Sequence, residues 1–154
     1  MTQWTMRFLW PFAVVGGLLT IVVPLAARTP TAKTTLVSIN RAGTASGNSF
    51  SFLPTLSAKG RLVAFVSAAS DLVANDTNGT TDIFVRDLKT KTTTLVSVNR
   101  TGTASGNSSS TAPTLSANGR FVAFASLASD LVANDTNEEG TSSCVTSKPR
   151  RRYW

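Results

Sequence analysis

One loop of the chain places two carboxylates and an amide around a glycine. It reads Asp76-Thr-Asn-Gly-Thr-Thr-Asp82. Carboxylate and amide oxygens are the hard ligands that Ca²⁺ takes, and glycine allows the sharp turn that gathers such ligands around one ion. The pattern predicts a calcium site formed by Asp76, Asn78 and Asp82. The competing interpretation is a polar turn, in which Asp and Asn side chains hydrogen-bond to their own backbone.

Three other acids are of a type that would suit hydrolysis. Asp71 and Asp130 each precede a Leu-Val pair, and with Asp87 they could supply a general acid and a general base. The chain has no histidine and one cysteine, Cys144, which excludes Ser-His-Asp and Cys-His catalysis and zinc sites rich in these residues. Because Asp71 and Asp130 are equivalent positions of a repeat, we interpret the acids as turn and hydrogen-bonding elements. The chain is therefore predicted not to be an enzyme, with no catalytic residue and no cofactor other than Ca²⁺.

The repeat spans most of the chain. Residues 34–78 recur as residues 93–137, and only nine of the 45 aligned pairs differ. A fixed period, here 59 residues, is typical of architectures in which one supersecondary unit stacks on copies of itself. The first copy is residues 34–92, and the second is residues 93–137.

Residue types within one period predict four short antiparallel strands. Runs of β-branched and apolar residues predict strands at Thr34–Ile39, Leu53–Ser57, Arg61–Ser67 and Asp82–Asp87, and Thr93–Val98 opens the next copy. Stretches rich in Gly, Asn and Ser predict a loop at Asn40–Ser51, a tight turn at Ala58–Gly60 and a long connection at Asp71–Thr81. Four antiparallel strands joined in this way form one blade of a β-propeller.

Two segments of the repeat resemble the TolB-type (WD-like) propeller repeat. They are Pro54-Thr-Leu-Ser-Ala-Lys-Gly-Arg-Leu-Val-Ala-Phe and Asp82-Ile-Phe-Val-Arg-Asp-Leu. The family has a Ser-Pro-Asp-Gly-Lys turn before the apolar strand, whereas this chain has Ala58-Lys59 and Ala117-Asn118 in place of Pro-Asp. The resemblance covers residues 34–137. It implies an all-β, partial β-propeller that serves as an exported binding scaffold and carries no catalytic residue.

The acidic loop has a resemblance of its own. Its spacing is similar to the calcium loops of integrin-type propellers, Asp-x-Asp-x-Asp-Gly-x-x-Asp, with Ala74 standing at the first ligand position. The second copy has Glu138 in place of the glycine and Thr141 in place of the last aspartate. The resemblance implies a calcium-dependent surface or adhesion module as an alternative to the scaffold.

Residues 1–28 have the composition of an export signal. Met1–Arg7 carries one positive charge, and Phe8–Ala27 is an uncharged apolar run with Pro24 near its end. These features are typical of a cleaved signal peptide, while about 20 apolar residues also suffice for a membrane anchor. Both interpretations predict an N-terminal hydrophobic helix and repeats that are periplasmic, secreted or membrane-anchored outside the cytoplasm. Membrane contact is expected only through this segment, and residues 29–33 are interpreted as a linker.

The formal net charge of +7 does not mark a nucleic-acid-binding protein. Residues 29–137 hold nine Lys and Arg against six Asp and Glu, scattered without interleaved aromatic residues. Nucleic-acid sites instead concentrate basic residues on one surface. The predicted partner is therefore a protein or an envelope component, bound through propeller loops or faces.

The tail, residues 138–154, departs from the repeat. By the period, Asp82–Thr90 should recur at residues 141–149, where the chain reads Thr-Ser-Ser-Cys-Val-Thr-Ser-Lys-Pro. Codons for that stretch, read one base earlier, can encode Asp-Ile-Phe-Val-Arg-Asp-Leu-Lys-Thr at all nine positions. We interpret the tail as a frameshifted, disordered segment, in which Cys144 and Arg150–Arg152 are accidents of the frame.

The repeats therefore account for about one and a half blades, whereas a closed propeller needs at least about four. Open sheet edges and uncovered blade faces predict self-association. The leading functional prediction is an exported, non-enzymatic binding scaffold. Its alternatives are the calcium-dependent module, a remnant of a larger propeller-containing enzyme, and a non-functional frameshifted product.

Overall fold

The computed structural model describes residues 31–135 and Ser143–Ser147, and this part of the chain is all-β. It forms two antiparallel sheets, which we call the first and the second sheet. The first sheet has the order β1-β2-β3-β4, from β1 (Ser51–Leu56), β2 (Leu62–Ser67), β3 (Asp82–Asp87) and β4 (Thr92–Leu95). The second sheet has the order β5-β6-β7, from β5 (Ser110–Leu115), β6 (Val122–Ser126) and β7 (Ser143–Ser147). The hydrophobic helix predicted within residues 1–28 lies outside the described residues.

The most apolar strand lies at the centre of the first sheet. β2 reads Leu-Val-Ala-Phe-Val-Ser, and all six of its residues are buried. It pairs with β1 on one side and with β3 on the other, where Leu62 lies opposite Asp87 and Ser67 opposite Asp82. A continuous apolar run is expected of a strand that is covered on both faces. The central position predicted for this segment is therefore confirmed.

The side chains of β2 alternate between the two faces of the first sheet and contribute to two apolar clusters. One lies between the sheets and joins β2 and β3 to the second sheet through Leu62, Ala64, Val66, Ile83, Val85, Leu115, Val122, Phe124, Ala128 and Leu131. The other lies on the opposite face of the first sheet and contains Phe65, Ala69, Leu72, Phe84 and Leu95. Successive side chains of a strand point to opposite faces, so neighbouring residues of β2 enter different clusters. The second sheet thus packs face to face on the first.

The predicted strand Thr34–Ile39 is wrong, and its repeat copy shows why. Residues 34–38 form no strand, and Ile39 makes only an isolated bridge with Ser46. In the second copy the same Thr-Thr-Leu sequence belongs to β4, where Leu95 pairs with Phe84 of β3. Leu95 is 6% exposed, whereas Leu36 is 50% exposed. A strand requires a partner for its backbone groups, and the described chain places none beside the first copy.

Each copy begins its sheet with a bulged strand around a proline. The pairing of β1 with β2 shifts between Phe52 and Thr55, where Leu53 has a φ of 49°. The pairing of β5 with β6 shifts at the equivalent place, where Ala112 has a φ of 52°. Proline has no N–H to donate, and bulges or edge strands accommodate it. The strand predicted at Leu53–Ser57 therefore forms as Ser51–Leu56, two residues longer before the proline than its sequence indicates.

β7 occupies the place in the second sheet that β3 has in the first. Phe65 pairs with Phe84 in the first sheet, and the 59-residue period relates these two residues to Phe124 and Ser143. Phe124 instead pairs with Val145, so β7 is two residues out of the register of β3. The tail was predicted to span residues 138–154, and only Ser143–Ser147 of it lies within the described residues.

Gly106 is expected to tolerate no larger residue without loss of stability, because the packed core leaves no room for a Cβ. A Cβ at this residue would lie 2.7 Å from Leu131 Cδ2 and 2.9 Å from Ala128 Cβ. Because both contacts belong to the packed core, we expect Gly106→Ala to cost about 2 to 3 kcal/mol of unfolding free energy. Gly102→Ala is the control, since its φ is 73° and nothing lies near its Cβ; it should cost about 1 kcal/mol. Urea unfolding measures both, and equal losses would contradict the steric explanation.

Candidate functional site

The acidic loop connects β2 to β3 and is held against the second copy. Ser105 accepts hydrogen bonds at its Oγ from the backbone N–H groups of Thr77 and Asn78, at 3.0 and 3.2 Å. The backbone N–H of Ser105 in turn donates to Asn75 O at 2.9 Å. The loop predicted to bind calcium is therefore part of the junction between the two repeats.

Two aspartates of this loop are buried without full hydrogen bonding. Asp76 is 8% exposed and Asp82 is fully buried. Both carboxylate oxygens of Asp76, Oδ2 of Asp82 and Oγ1 of Thr80 have no hydrogen-bond partner. An unpaired buried polar group costs free energy, and an unpaired buried charge costs more. Four such oxygens within seven residues are able to accept water, a proton or a bound cation.

The remaining oxygen of Asp82 is fixed by a serine that follows β4. Ser97 donates from its Oγ to Asp82 Oδ1 at 2.5 Å and accepts there from the backbone N–H of Ile83 at 3.0 Å. This serine is fully buried. The hydrogen bond therefore fixes the orientation of the carboxylate, and Oδ2 remains without a hydrogen-bond partner.

The side chain of Asn78 makes hydrogen bonds within the protein, whereas the sequence predicted it as a metal ligand. Its Oδ1 accepts the backbone N–H of Thr80 at 2.9 Å, and its Nδ2 donates to Gly106 O at 2.7 Å. This is the polar turn of the competing interpretation, used here to shape the loop. The structure thus places Asp76 and Asp82 in one loop with unpartnered oxygens, and it adds Thr80. Because threonine hydroxyls are frequent in polar loops, no feature of the sequence distinguished Thr80.

Burial raises the pKa of both aspartates. For Asp76, desolvation raises the pKa of the carboxyl above its usual value. For Asp82, desolvation raises the pKa to about 6, although the hydrogen bond from Ser97 and the nearby amide of Asn78 favour the charged form, and the charge of Asp76 adds to the rise. In the absence of a cation, burial therefore disfavours the ionised form of both carboxylates.

The other acids of the sequence analysis have structural partners. Asp71 Oδ1 and Asp130 Oδ1 each accept a backbone N–H at 2.9 Å, from Asn48 and Asn107 respectively. Asp87 forms an ion pair with Arg61, with Nη2 and Oδ2 2.5 Å apart. The hydrogen bond from this arginine lowers the pKa of Asp87. These contacts agree with the interpretation of the acids as turn and hydrogen-bonding elements.

The position of Asp87 also separates it from Asp71. Asp87 lies opposite Leu62, at the start of β2, while Asp71 follows the far end of that strand. Hydrolysis by a carboxylate pair requires the two groups to flank one bond. The structure does not bring this pair together.

Comparisons with known proteins supply no further assignment. No protein-family model matches the chain, and no curated protein is significantly similar to it in sequence. Residues 31–135 and 143–147 contain no helix long and apolar enough to cross a membrane. The same residues contain no group of three or more His, Cys, Asp or Glu side chains that could hold a metal ion.

Proposed function

We propose that the chain is an exported, non-enzymatic binding module built from TolB-type β-propeller blades. Its sheet faces and loops bind another protein or a component of the cell envelope. The observation that carries this proposal is a sheet face that is covered in the second copy and open in the first.

The open face is seen when the exposure of equivalent residues in the two copies is compared. Leu115 of β5 packs on the first sheet and is 7% exposed, whereas Leu56, its equivalent in β1, is 57% exposed. Pro113 is buried in the second copy, while Pro54 is exposed in the first. Stacked sheets that each cover the next one are the arrangement of propeller blades. The face of β1 is thus available to a partner.

The first copy also carries apolar residues that the second copy lacks. Phe50 is 62% exposed and Phe52 is 39% exposed, and their ring centroids are 5.7 Å apart. With Leu53 they form what we call the aromatic patch, which the second copy replaces with Ser109, Thr111 and Ala112. Clustered exposed aromatic side chains are typical of protein interaction sites. The patch therefore supports protein binding at this end of the molecule.

Export and the absence of catalysis rest on the sequence. The apolar segment that predicts export falls in residues 1–28, outside the described part of the chain. A chain without histidine lacks the commonest general base, and the acids considered for hydrolysis have structural partners.

Three alternatives keep a specific observation in their favour. The unpartnered oxygens of Asp76, Thr80 and Asp82 favour a calcium-dependent surface or adhesion module. The shifted codons of residues 141–149 favour a frameshifted product, or a remnant of a larger propeller-containing enzyme. Sequencing of the gene and its transcript across codons 136–142 separates these last two from the intact module.

The binding function is tested by cross-linking in the native host. We expect a photo-reactive amino acid at Phe52 to give a discrete covalent adduct in an extracytoplasmic fraction, because this side chain lies in the exposed aromatic patch. The same probe at Lys89, which is exposed in the turn between β3 and β4, should give none. The variant Phe50→Ser, Leu53→Ala, which carries the residues of the second copy, should weaken the adduct. A probe at Phe52 that yields no adduct from stably produced protein, or a cytoplasmic location, would overturn the proposal.

A further inference from the structure

We infer that Asp76, Thr80 and Asp82 form a Ca²⁺ site that fastens the first repeat to the second. The inference goes beyond the binding module, since it concerns a cation held at the junction of the repeats rather than a partner at the sheet face. It starts from two carboxylates that are more than nine-tenths buried and carry unpartnered oxygens.

A divalent cation can neutralise both acids and bind their unpartnered oxygens at the same time. The two carboxylates together carry two negative charges, and three of their four oxygens lack a hydrogen-bond partner. A proton on each acid would remove the charge but would create O–H groups, for which the unpartnered oxygens of the same loop are the available acceptors. One Ca²⁺ neutralises both charges and gives oxygens of Asp76, Thr80 and Asp82 a common partner.

Within residues 31–135, no ion pair joins Asp76 or Asp82 to an arginine or a lysine. In residues 31–135 the ion pair that the structure shows joins Arg61 to Asp87, at the opposite end of β3 from Asp82. The charge that acts on Asp82 from nearby is that of Asp76, which has the same sign. A buried pair of like charges without a counter-ion is the condition that a bound cation relieves.

The ligand types favour a hard cation. The site presents carboxylate and hydroxyl oxygens, and the chain has no histidine, so the usual nitrogen ligands of zinc and copper are missing. Ca²⁺ takes about six to eight oxygen ligands in flexible geometry and accepts backbone carbonyls and waters among them. Gly79, with a φ of 69°, turns the loop between the two aspartates. Mg²⁺ needs stricter octahedral geometry, so the irregular loop suits Ca²⁺ better.

The segments around the site explain why the ion would join the repeats. Ser97 holds Asp82 from the end of β4, Ser105 holds the backbone of Thr77, and Asn78 reaches the carbonyl of Gly106. An ion between Asp76 and Asp82 would therefore order a loop that already bonds three positions of the second copy. A ligand that binds the folded state alone stabilises it by mass action.

The second copy lacks this pair of acids. By the 59-residue period Asp135 corresponds to Asp76, but Thr141 stands where Asp82 does. One carboxylate is then absent, and affinity for Ca²⁺ depends on the number of charged ligands. The expected stoichiometry is one Ca²⁺ for each chain.

The test is titration of the full-length, chelator-treated protein with CaCl2, followed by calorimetry and by thermal unfolding. We expect one binding event for each chain and a rise in Tm with the Ca²⁺ concentration. Asp76→Asn and Asp82→Asn should each weaken Ca²⁺ binding by about 100-fold or more, because a charged ligand is lost. Asp135→Asn, the equivalent change in the second copy, is the matched control and should leave binding unchanged.

A second variant keeps the test decisive if an asparagine variant does not fold. Thr80→Val removes one unpartnered oxygen without changing the charge, and it should weaken Ca²⁺ binding while retaining the circular dichroism spectrum of the wild type. No heat and no change in Tm at millimolar Ca²⁺ would overturn the site. A Ca²⁺-dependent rise in Tm that survives in the double variant Asp76→Asn, Asp82→Asn would overturn the assignment of these residues. An equal response to MgCl2 would overturn the choice of Ca²⁺.

Discussion

Leu115→Ala is expected to lower the unfolding free energy by about 3 kcal/mol, whereas Leu56→Ala should lower it by less than about 0.5 kcal/mol. The two leucines occupy the same position of the repeat, and both follow a Pro-Thr pair at the end of a bulged strand. Leu115 packs in the cluster between the sheets, while Leu56 is more than half exposed. Truncation of a buried leucine costs its transfer free energy and leaves a cavity, and truncation of an exposed one costs neither.

The experiment compares urea unfolding of the two variants at a protein concentration low enough to avoid association. A second series at high concentration adds information, because self-association through the face of β1 would cover Leu56. The Leu56→Ala substitution should then lower the unfolding free energy measurably. Equal losses at low concentration would show that the second sheet does not pack on the first as described, and the open face proposed for binding would lose its basis.

Much of the fold was predictable because it follows from local patterns. The apolar run of β2, the polar connection after it and the alternating segment of β3 are all visible in the sequence, and they form where they were predicted. The turn at Ala58–Gly60 was predicted from its glycine, and Gly60 has a φ of 66°. Each of these features depends on residues that are close in the chain.

The Thr-Thr-Leu-Val-Ser segment shows where local patterns fail. The sequence occurs twice without change, at residues 34–38 and 93–97. Its second occurrence provides most of β4 because β3 precedes it in the same chain, while its first occurrence has no such partner in the described residues. Strand formation is a property of a pair of segments, so no propensity within the five residues could separate the two outcomes.

The candidate site was predictable in its acids but not in its details. Spacing around Gly79 identified Asp76 and Asp82, since ligand types and turn residues are local features. The sequence could not show that Asn78 would use its oxygen for the turn or that Ser97, just after β4, would bind Asp82. Those facts depend on the packing of the second copy against the loop. The burial of Asp76 and Asp82, which is the evidence for a cation site, likewise depends on tertiary packing.

Asp82→Asn is expected to stabilise the cation-free protein at neutral pH, although it alters a buried residue. Burial raises the pKa of Asp82 to about 6 in the folded state, while the unfolded chain has the ordinary value of about 3.9. The folded state therefore binds more protons between these two values. The contribution of Asp82 to stability is complete below about pH 4 and is lost as the pH rises through about 6.

The gain at pH 7.5 in chelator should be about 2 to 3 kcal/mol, which is the free energy of this pKa difference. Asparagine keeps an oxygen that can accept the hydrogen bond from Ser97, so the substitution removes the charge with little change in shape. Asp87 titrates in the opposite sense, because its pKa is lowered by Arg61. The quantity to follow is therefore the difference in unfolding free energy between variant and wild type, in which the contribution of Asp87 cancels.

That difference should be near zero at pH 4, should favour the variant at pH 7.5 in chelator, and should reverse in saturating Ca²⁺. The wild type then gains more binding free energy from the cation than the variant does, because the variant binds Ca²⁺ more weakly. Asp71→Asn is the control. Asp71 accepts a hydrogen bond from the backbone N–H of Asn48, so this variant should be less stable than the wild type both in chelator and in saturating Ca²⁺. A variant less stable than the wild type at neutral pH without Ca²⁺ would mean that Asp82 is stabilised by a partner in the protein itself. A cation would then not be needed to explain its burial.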